Sequence, residues 1–475
     1  MTKNTKAIIL AAGKSTRFNR DKSKLLHTIC GQEMILYPIK LLQSLEIPVT
    51  LVLGHQSESI KKTISEKMPD SWEKSITHVI QQEQKGTGHA VMCSSSNWDK
   101  KNILILCADT PLLSEDLILE LIEKHKKENA ILSFLTTRVI NPKGYGRVIK
   151  ENNKIKIVEE KNCNSEEALI DTINSGIYLI NKDFLQKSIN QLEKNSLTGE
   201  IYFTDIVQLA SDQNLKVQTI PAHFDEVRGI NSLQELWAAE QIKRSEIMKK
   251  FMQNGVQFEL AQSTHLDLDI SIGRNSFIGA GAIIIKGSKI GENCTINAFS
   301  IVENTTVGNN STIRSHSVIQ DSKIGNNTSV GPFARLRDNV FIDDNAVIGN
   351  FVEVKNSTIG QNSKAKHLTY LGDCQIGKSV NIGGGTITCN YDGQKKHKTT
   401  IKDNSFIGGN NTLIAPVTIE KNSYTAAGST INKDVPENSL AIARSRQENK
   451  EKKTSQQEKF NFIGAIKAKG SQKTT

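Results

Sequence analysis

The sequence predicts an α/β chain in two unlike halves: a mostly parallel sheet with crossover helices, then a parallel β-helix built of hexapeptides. Three observations carry this. At 475 residues the chain is long for one hydrophobic core. Up to about residue 230, short apolar runs alternate with helical patterns, the rhythm of strands joined by helices. Beyond about residue 266, Ile/Val–Gly dipeptides begin at 272, 278, 290, 307, 324, 330, 348, 359, 376, 382 and 407, every step within one residue of a multiple of six.

In the first half the strand candidates are Ala7–Leu10, Val49–Leu53, Ile103–Leu106, Ile131–Thr136 and Gly176–Ile180. Helical stretches such as Leu117–His125 and Lys182–Leu192 lie between them. A sheet of this kind binds ligands at the carboxyl ends of its strands. The stretch AIILAAGKSTRFNRDKSKLLHT (7–28) fits that place: an apolar strand, then Gly13, then Lys14, Arg17, Arg20, Lys22 and Lys24 within eleven residues. Backbone N–H groups of a small-residue turn with cations behind it suit a phosphate. Alone, the stretch also reads as a solvated basic loop; its position after the first strand favours the phosphate.

From Leu233 toward Gly255 a helical pattern with i,i+4 apolar pairs, Leu233–Trp237 and Ile247–Phe251, suits a bridge between the halves. The hexapeptide period then means a solenoid in which aliphatic side chains fill the interior while Gly and Asn take the corners. The expected division is 1–230, a bridging helix at 231–255, the β-helix at 256–446 and a basic tail at 447–475.

Composition excludes several classes. Hydrophobic residues make up 37% and charged residues 23%, as in a soluble globular protein, and no run of about twenty apolar residues occurs. Seven cysteines without CxxC spacing argue against disulfides or a zinc site and for a reducing cytoplasm. The net charge of +10 lies largely in the tail: from Arg444 onward, nine Lys/Arg face three Glu. Neither a nucleic-acid partner nor membrane insertion is expected.

LAAG followed by basic residues resembles the sugar-1-phosphate nucleotidyltransferases. The second half adds GPFARLR (331–337), HLTYLGD (367–373) and NIGGGTITCNYDG (381–393). Together, over residues 5 to 446, the chain is similar to the bifunctional N-acetylglucosamine-1-phosphate uridyltransferase / glucosamine-1-phosphate acetyltransferase family. The resemblance implies a Rossmann-like nucleotidyltransferase domain, a left-handed β-helix and a homotrimer. It also implies Mg²⁺ as cofactor, UTP and acetyl-CoA as co-substrates, and a product that feeds cell-wall and lipopolysaccharide precursors.

Site residues follow by the same resemblance. Leu10, Ala11, Ala12 and Gly13 would bind the nucleotide, Arg17 and Lys24 would neutralise phosphate, and Gln81, Gly86 and Thr87 would read uracil. Asp109 and Asn231 would hold the metal, since Mg²⁺ takes few protein ligands, all hard oxygens. Gly146, Glu159 and Asn174 would hold the sugar. For acetyl transfer, His367 would be the base, because imidazole titrates near neutrality; Glu353 would orient it. Arg337, Lys355, Tyr370 and Asn381 would bind glucosamine-1-phosphate, and Gly384, Asn390, Tyr391, Gly409, Ala427 and Arg444 acetyl-CoA. Three positions depart from the family pattern: Ser15 and Ser23 stand for Gly and Pro, and Gly409 for Ser. Two other readings are a nucleotidyltransferase for another sugar phosphate, with a purely structural β-helix, and a sugar-nucleotide-sensing scaffold without catalysis.

Overall fold

The computed structural model describes residues 2–13, 18, 22–152 and 154–450; Ser15, Arg17 and the tail beyond Lys450 lie outside the described residues. The first half holds strands β1 (Thr5–Ala11), β2 (Val49–Leu53), β3 (Thr77–Ile80), β4 (Asn102–Cys107), β5 (Leu132–Arg138), β6 (Arg147–Glu151), β7 (Lys154–Val158), β8 (Thr172–Asn181) and β9 (Val217–Pro221). They form one sheet in the order β9-β5-β8-β4-β1-β2-β3, with β6 paired to β8 and β7 to β6. β1 lies parallel between β2 and β4, with Ile8 beside both Thr50 and Ile105. Ala7, Ile8 and Ile9 are fully buried. That explains why β1 reads as an unbroken apolar run: both faces of a parallel sheet are covered.

Strand β8 runs antiparallel to β4 and β5. The chain between β5 and β8 makes the β6–β7 hairpin and short 3-10 turns instead of a crossover helix, and only parallel neighbours require a crossover. The helix Glu115–Lys127 is capped by Ser114, whose hydroxyl accepts from Leu117 N–H at 3.3 Å. Glu115 and Asp116 sit at its start and Lys124, Lys126 and Lys127 at its end, complementing the helix dipole. The helical pattern over 182–192 ends earlier than expected: the α-helix stops at Ser188 and a 3-10 turn, Ile189–Gln191, follows.

The bridge is a single helix, Leu233–Gln253, opened by a capping box. Ser232 accepts from Glu235 N–H, and Glu235 accepts in return from Asn231 N–H at 2.7 Å. It buries Ala239, Ile247 and Met248. Leu233 and Trp237, expected as a packed pair, are exposed, because the buried stripe runs through positions 239, 247 and 248. Leu268 N–H donates to Cys30 C=O at 2.9 Å, and Arg244 lies 3.0 Å from His265 Nδ1, so helix, sheet half and first coils touch.

Beyond residue 265 all strands pair in parallel, most residues over the one 17 or 18 positions earlier, as in Ile284 beside Val302 and Val302 beside Ile319. Three columns of strands make a three-sided prism. Its interior is a stack of aliphatic side chains, among them Ile278, Ile296, Ile313, Val330, Ile348 and Ile382. One corner repeats asparagine in the left-handed region at 275, 293, 310, 327, 345 and 362. Asparagine tolerates that conformation, and its amide bonds to the next coil: Asn275 to Asn293 at 3.3 Å and Asn293 to Asn310 at 3.2 Å.

A second corner carries Phe299, His316, Phe333 and Phe351, whose rings stack at 5.2, 5.0 and 5.3 Å. The third corner holds Asp338, Asn356 and Asp373. There the period breaks once: Gln375 pairs with Thr400, and the extra residues leave the prism as a loop between Cys389 and Thr399.

Coils this close leave no room at Gly349, where a Cβ would overlap the backbone of Lys366 on the next coil. Gly349→Ala is expected to cost about 2 kcal/mol, by forced displacement of packed backbone. Calorimetry should show the melting temperature of the full chain lowered by roughly 4–8 °C.

Candidate active sites

The carboxyl ends of β1 and β4 open into a cavity of about 480 Å³. Leu10, Ala11, Ala12, Gly13, Lys24, Gln81, Gly86, Thr87 and Asp109 all line it, so nine of the residues expected to meet the nucleotide or its metal come together. Gly86 has φ of +101°, and a Cβ there would meet Ile201 C=O at 2.5 Å; the turn over this cavity requires glycine. Gln81 is buried, donating from Nε2 to Gly86 C=O at 3.1 Å. The Thr87 hydroxyl accepts from Phe203 N–H at 3.0 Å and is therefore committed to the fold. Gln84, Cys107 and Glu200 also line the cavity and were not singled out from the sequence. Gln84 donates to Ala12 C=O at 2.9 Å and so fastens the first loop. Its signal was its place three residues after Gln81 in QQEQKGTG.

At one end the Lys24 ammonium lies 2.5 Å from Asp109 Oδ2, 2.9 Å from Asn231 Oδ1 and 3.1 Å from Ile230 C=O. Three oxygens thus converge on one positive charge, and two of them are the expected metal ligands. The donor set is hard and oxygen-only, and among the described residues no cluster of three or more His, Cys, Asp or Glu side chains competes with it. That suits Mg²⁺, which keeps most of its shell for water and phosphate. Ser23 caps the turn Lys24–Leu26, accepting from Leu25 N–H at 3.4 Å; a side-chain cap thus does what the family's Pro does by fixed φ.

Gly146, Glu159 and Asn174 gather beside this cavity and not in its lining. Asn174 N–H donates to Gly146 C=O at 2.9 Å, and a Cβ on Gly146 would lie 3.6 Å from Glu159 Oε2. The Thr204 hydroxyl donates to Glu159 Oε1 at 2.9 Å, and Asn174 Nδ2 donates to the Tyr178 hydroxyl at 2.6 Å. Burial pushes the Glu159 carboxyl above its ordinary range, against the opposing bond from Thr204.

In the β-helix, His367 pairs in register with Asn350, and its Nδ1 lies 2.9 Å from Asn350 Oδ1. With the amide oxygen facing it, Nδ1 is the nitrogen engaged by Asn350, and Nε2 is the ring nitrogen turned away from that contact. Glu353 does not orient His367, contrary to expectation. It is three residues along the strand from Asn350, pairs with Tyr370, and binds Arg337 at 2.8 Å. The orienting residue is Asn350, legible in retrospect as the position one coil, 17 residues, before His367.

Arg337 and Lys355 are coil neighbours, as are Lys355 and Gly372. Lys396, from the inserted loop, faces Lys355, and its ammonium holds the Lys355 ammonium below the ordinary lysine range. Two ammonium groups brought face to face make a site for a dianion. Tyr370 folds back over Gly372, where any Cβ would strike its ring. Asn390 is buried and donates to Asp373, while Tyr391 is exposed. Asn381 lies elsewhere, paired with Lys364 on the adjoining face.

Gly384, Gly409 and Gly428 climb the aromatic corner in successive coils, linked by 2.8 Å backbone bonds, Asn410 N–H to Gly384 C=O and Gly428 N–H to Gly409 C=O. Ala427 precedes Gly428, and Arg444 Cδ would lie 3.9 Å from a Cβ there. A Cβ at 409 would stand 3.3 Å from Gly384 C=O, and one at 384 would stand 3.3 Å from His367 Cβ. A side chain at 409 would therefore crowd Gly384, and one at 384 would crowd His367.

A strand-end nucleotide pocket joined to a hexapeptide prism carrying an oriented histidine defines a nucleotidyltransferase fused to an acyltransferase. Residues 6–238 match the nucleotidyl transferase family model, 263–339 the GMPPB C-terminal domain and 398–433 the hexapeptide repeat of succinyl-transferase. The bifunctional protein GlmU of Clostridium botulinum (strain 657 / Type Ba4) is 43% identical over 450 residues, 94% of this chain and 97% of that one. That of Clostridioides difficile (strain 630) is 43% identical over 453 residues, with the same coverage. The chain belongs to the bifunctional GlmU family, and uridyltransferase and acetyltransferase activities go with that membership.

Because Glu159 ionises less readily in the folded chain than unfolded, it lowers stability progressively as pH rises above the unfolded carboxyl range. Glu159→Gln should therefore gain melting temperature relative to wild type between pH 4 and pH 7. In the same protein the KM for N-acetylglucosamine-1-phosphate should rise about tenfold or more, the effect of losing a charged hydrogen bond.

Proposed function

We propose that residues 1–230 carry out uridylyl transfer and 256–446 acetyl transfer, joined by 231–255, with 447–475 a basic tail outside both sites. Glucosamine-1-phosphate is acetylated first; N-acetylglucosamine-1-phosphate then reacts with UTP to give UDP-N-acetylglucosamine and pyrophosphate. The observation that carries this reading is the Asn350–His367 pair beside Gly384, where a Cβ would stand 3.3 Å from His367 Cβ. Neither a purely structural β-helix nor a non-catalytic scaffold has use for a surface histidine held by its coil neighbour.

In the first half an oxygen of the sugar phosphate attacks the α-phosphorus in line and pyrophosphate leaves. Catalysis there is positioning and charge neutralisation. Gly146, Glu159 and Asn174 hold the sugar, Gln81 and the Gly86–Thr87 backbone the base, and Lys24 with Arg17 the phosphates. Asp109 and Asn231 would hold Mg²⁺, which supplies further neutralisation of the triphosphate. Lys24 then exchanges its present oxygen partners for phosphate.

In the second half the free amine of glucosamine-1-phosphate attacks the thioester carbonyl. His367 Nε2 accepts the amine proton, the C–S bond breaks, and the coenzyme leaves as the thiol after taking up a proton. Arg337, Lys355 and Lys396 clamp the phosphate, with Tyr370 and Asn381 as polar contacts for the sugar. Gly384, Gly409, Ala427 and Arg444 form one wall for acetyl-CoA, and Asn390 and Tyr391 another.

The homotrimer that the resemblance implies is supported by how these groups are distributed. His367 and the glycines 384, 409 and 428 lie at the aromatic corner, whereas Lys355, Asn390 and Lys396 lie at the third corner. One prism face, about 13 Å for the four residues from Leu368 to Gly372, separates them. A neighbouring copy that sets one corner against the other closes the site, and such head-to-tail contacts close into a ring. The aromatic corner suits this contact: Phe299, Phe333, Phe351 and Leu368 are 57, 49, 55 and 64% exposed, at a spacing that another coil of the same pitch matches row by row.

Two experiments test the reading. Asp109→Ala should lower uridylyl transfer by orders of magnitude and leave acetyl transfer near normal, while His367→Ala should lower acetyl transfer about 10²- to 10⁴-fold and spare uridylyl transfer. Loss of both activities in either folded variant contradicts the division. Phe333→Asp with Phe351→Asp should sediment as a monomer that retains uridylyl transfer and has lost acetyl transfer; a fully active monomer would place each acetyl site within one chain.

A further inference from the structure

The nucleotide cavity uses the ends of β1 and β4. A separate cavity of about 800 Å³ opens at the ends of another parallel pair, β5 and β9, and shares no lining residue with it. Its walls are hydroxyl-rich, with Thr136, Thr137 and Thr219 along the strands, and Arg138, Lys150 and His223 add cationic or protonatable groups. Asp225, the carboxylate in the lining, lies 3.3 Å from Arg228 and is thereby offset. Lys150 donates at 2.7 Å to the Thr219 hydroxyl, a neutral partner, and among the described residues it forms no ion pair. Among the described residues, the ion pair that Arg138 makes is with Asp171, at 4.0 Å. The cavity therefore presents two cations with little countercharge beside several hydroxyls. That balance fits an anion attached to a hydroxylated body.

Its walls are also tied to the sugar subsite. Thr136 pairs in register with Asn174, whose N–H holds Gly146 C=O. Phe224, another wall, meets the Tyr145 ring edge-on at 5.9 Å, and Tyr145 immediately precedes Gly146. A group bound here would bear on both strands that position the sugar.

We propose that this cavity is a second binding site for a phosphorylated sugar or sugar nucleotide, its phosphate on Arg138 and Lys150 and its hydroxyls on the threonines. Occupancy shifts the affinity of the neighbouring subsite for N-acetylglucosamine-1-phosphate. The regulatory part rests on the uridyltransferase reading; the binding part does not.

The test uses the full-length chain and three probes: inorganic phosphate, glucosamine-1-phosphate and UDP-N-acetylglucosamine. Titration calorimetry compares wild type, the Arg138→Ala/Lys150→Ala double variant and Asp109→Ala. Both substituted side chains of the double variant are exposed, and its basal uridylyl transfer should stay within about twofold of wild type. At least one probe should show a binding component that weakens tenfold or more in the double variant and persists in Asp109→Ala. Binding of inorganic phosphate alone would assign the cavity to the anion without the sugar and overturn the proposed ligand class. Equal binding of all three probes to wild type and double variant overturns the site itself. Should wild type show no uridylyl transfer, the functional reading fails separately, and the calorimetric comparison still decides whether the cavity binds.

Discussion

Each coil of the prism must close in 17 or 18 residues, so that every backbone group meets its counterpart on the next coil. The acetyl site depends on that constraint throughout. His367 stands over Asn350 and Lys355 beside Arg337 because the coils repeat, without any dedicated loop to bring them together. The left-handed residue at each corner makes the turn, and the aliphatic stack beneath holds the faces apart. Residues separated in sequence by one period become neighbours at strand spacing, about 4.8 Å. A solenoid can thus assemble a polar site on its surface without placing one charge in its core.

The first half meets a different constraint. In the proposed reading its site would collect phosphates and a divalent cation at the ends of buried strands, where any unbalanced charge is costly. Lys24 resolves this internally by bridging Asp109 and Asn231, so the oxygens have a countercharge before substrate arrives. The same ammonium is of the right sign to follow the phosphates once they enter. Gln84 and Gly86 brace the loops on either side, one by a bond to Ala12 and the other by close approach to Ile201.

Much of this was legible in the sequence because periodicity and strand-end motifs are local signals. The hexapeptide rhythm marks the coils, whereas the 25-residue step from Ile382 to Ile407 passes as one more multiple of six and hides the inserted loop. The nucleotide loop was legible from its place after β1. What was not legible depended on which residue lands opposite which. Glu353 and Asn350 are both one coil from the HLTYLGD motif, and only the register makes Asn350 the partner of His367. Lys396 sits in a loop that follows no period, so nothing in its spacing announced that it turns back on Lys355. The antiparallel course of β8 is hidden for a similar reason: its apolar run reads the same in either direction.

That inserted loop has a consequence for how such a molecule can change. Pairing resumes in register at Thr399 as though the intervening residues were absent. Lys396, with the Asp392–His397 contact that shapes its loop, therefore hangs from the prism like a bracket from a wall. Substitutions, and even changes in length, can be made in the bracket without disturbing the wall. The anion clamp and the scaffold are thus open to separate variation, and substrate preference in the acetyl half can drift while the coils beneath stay fixed.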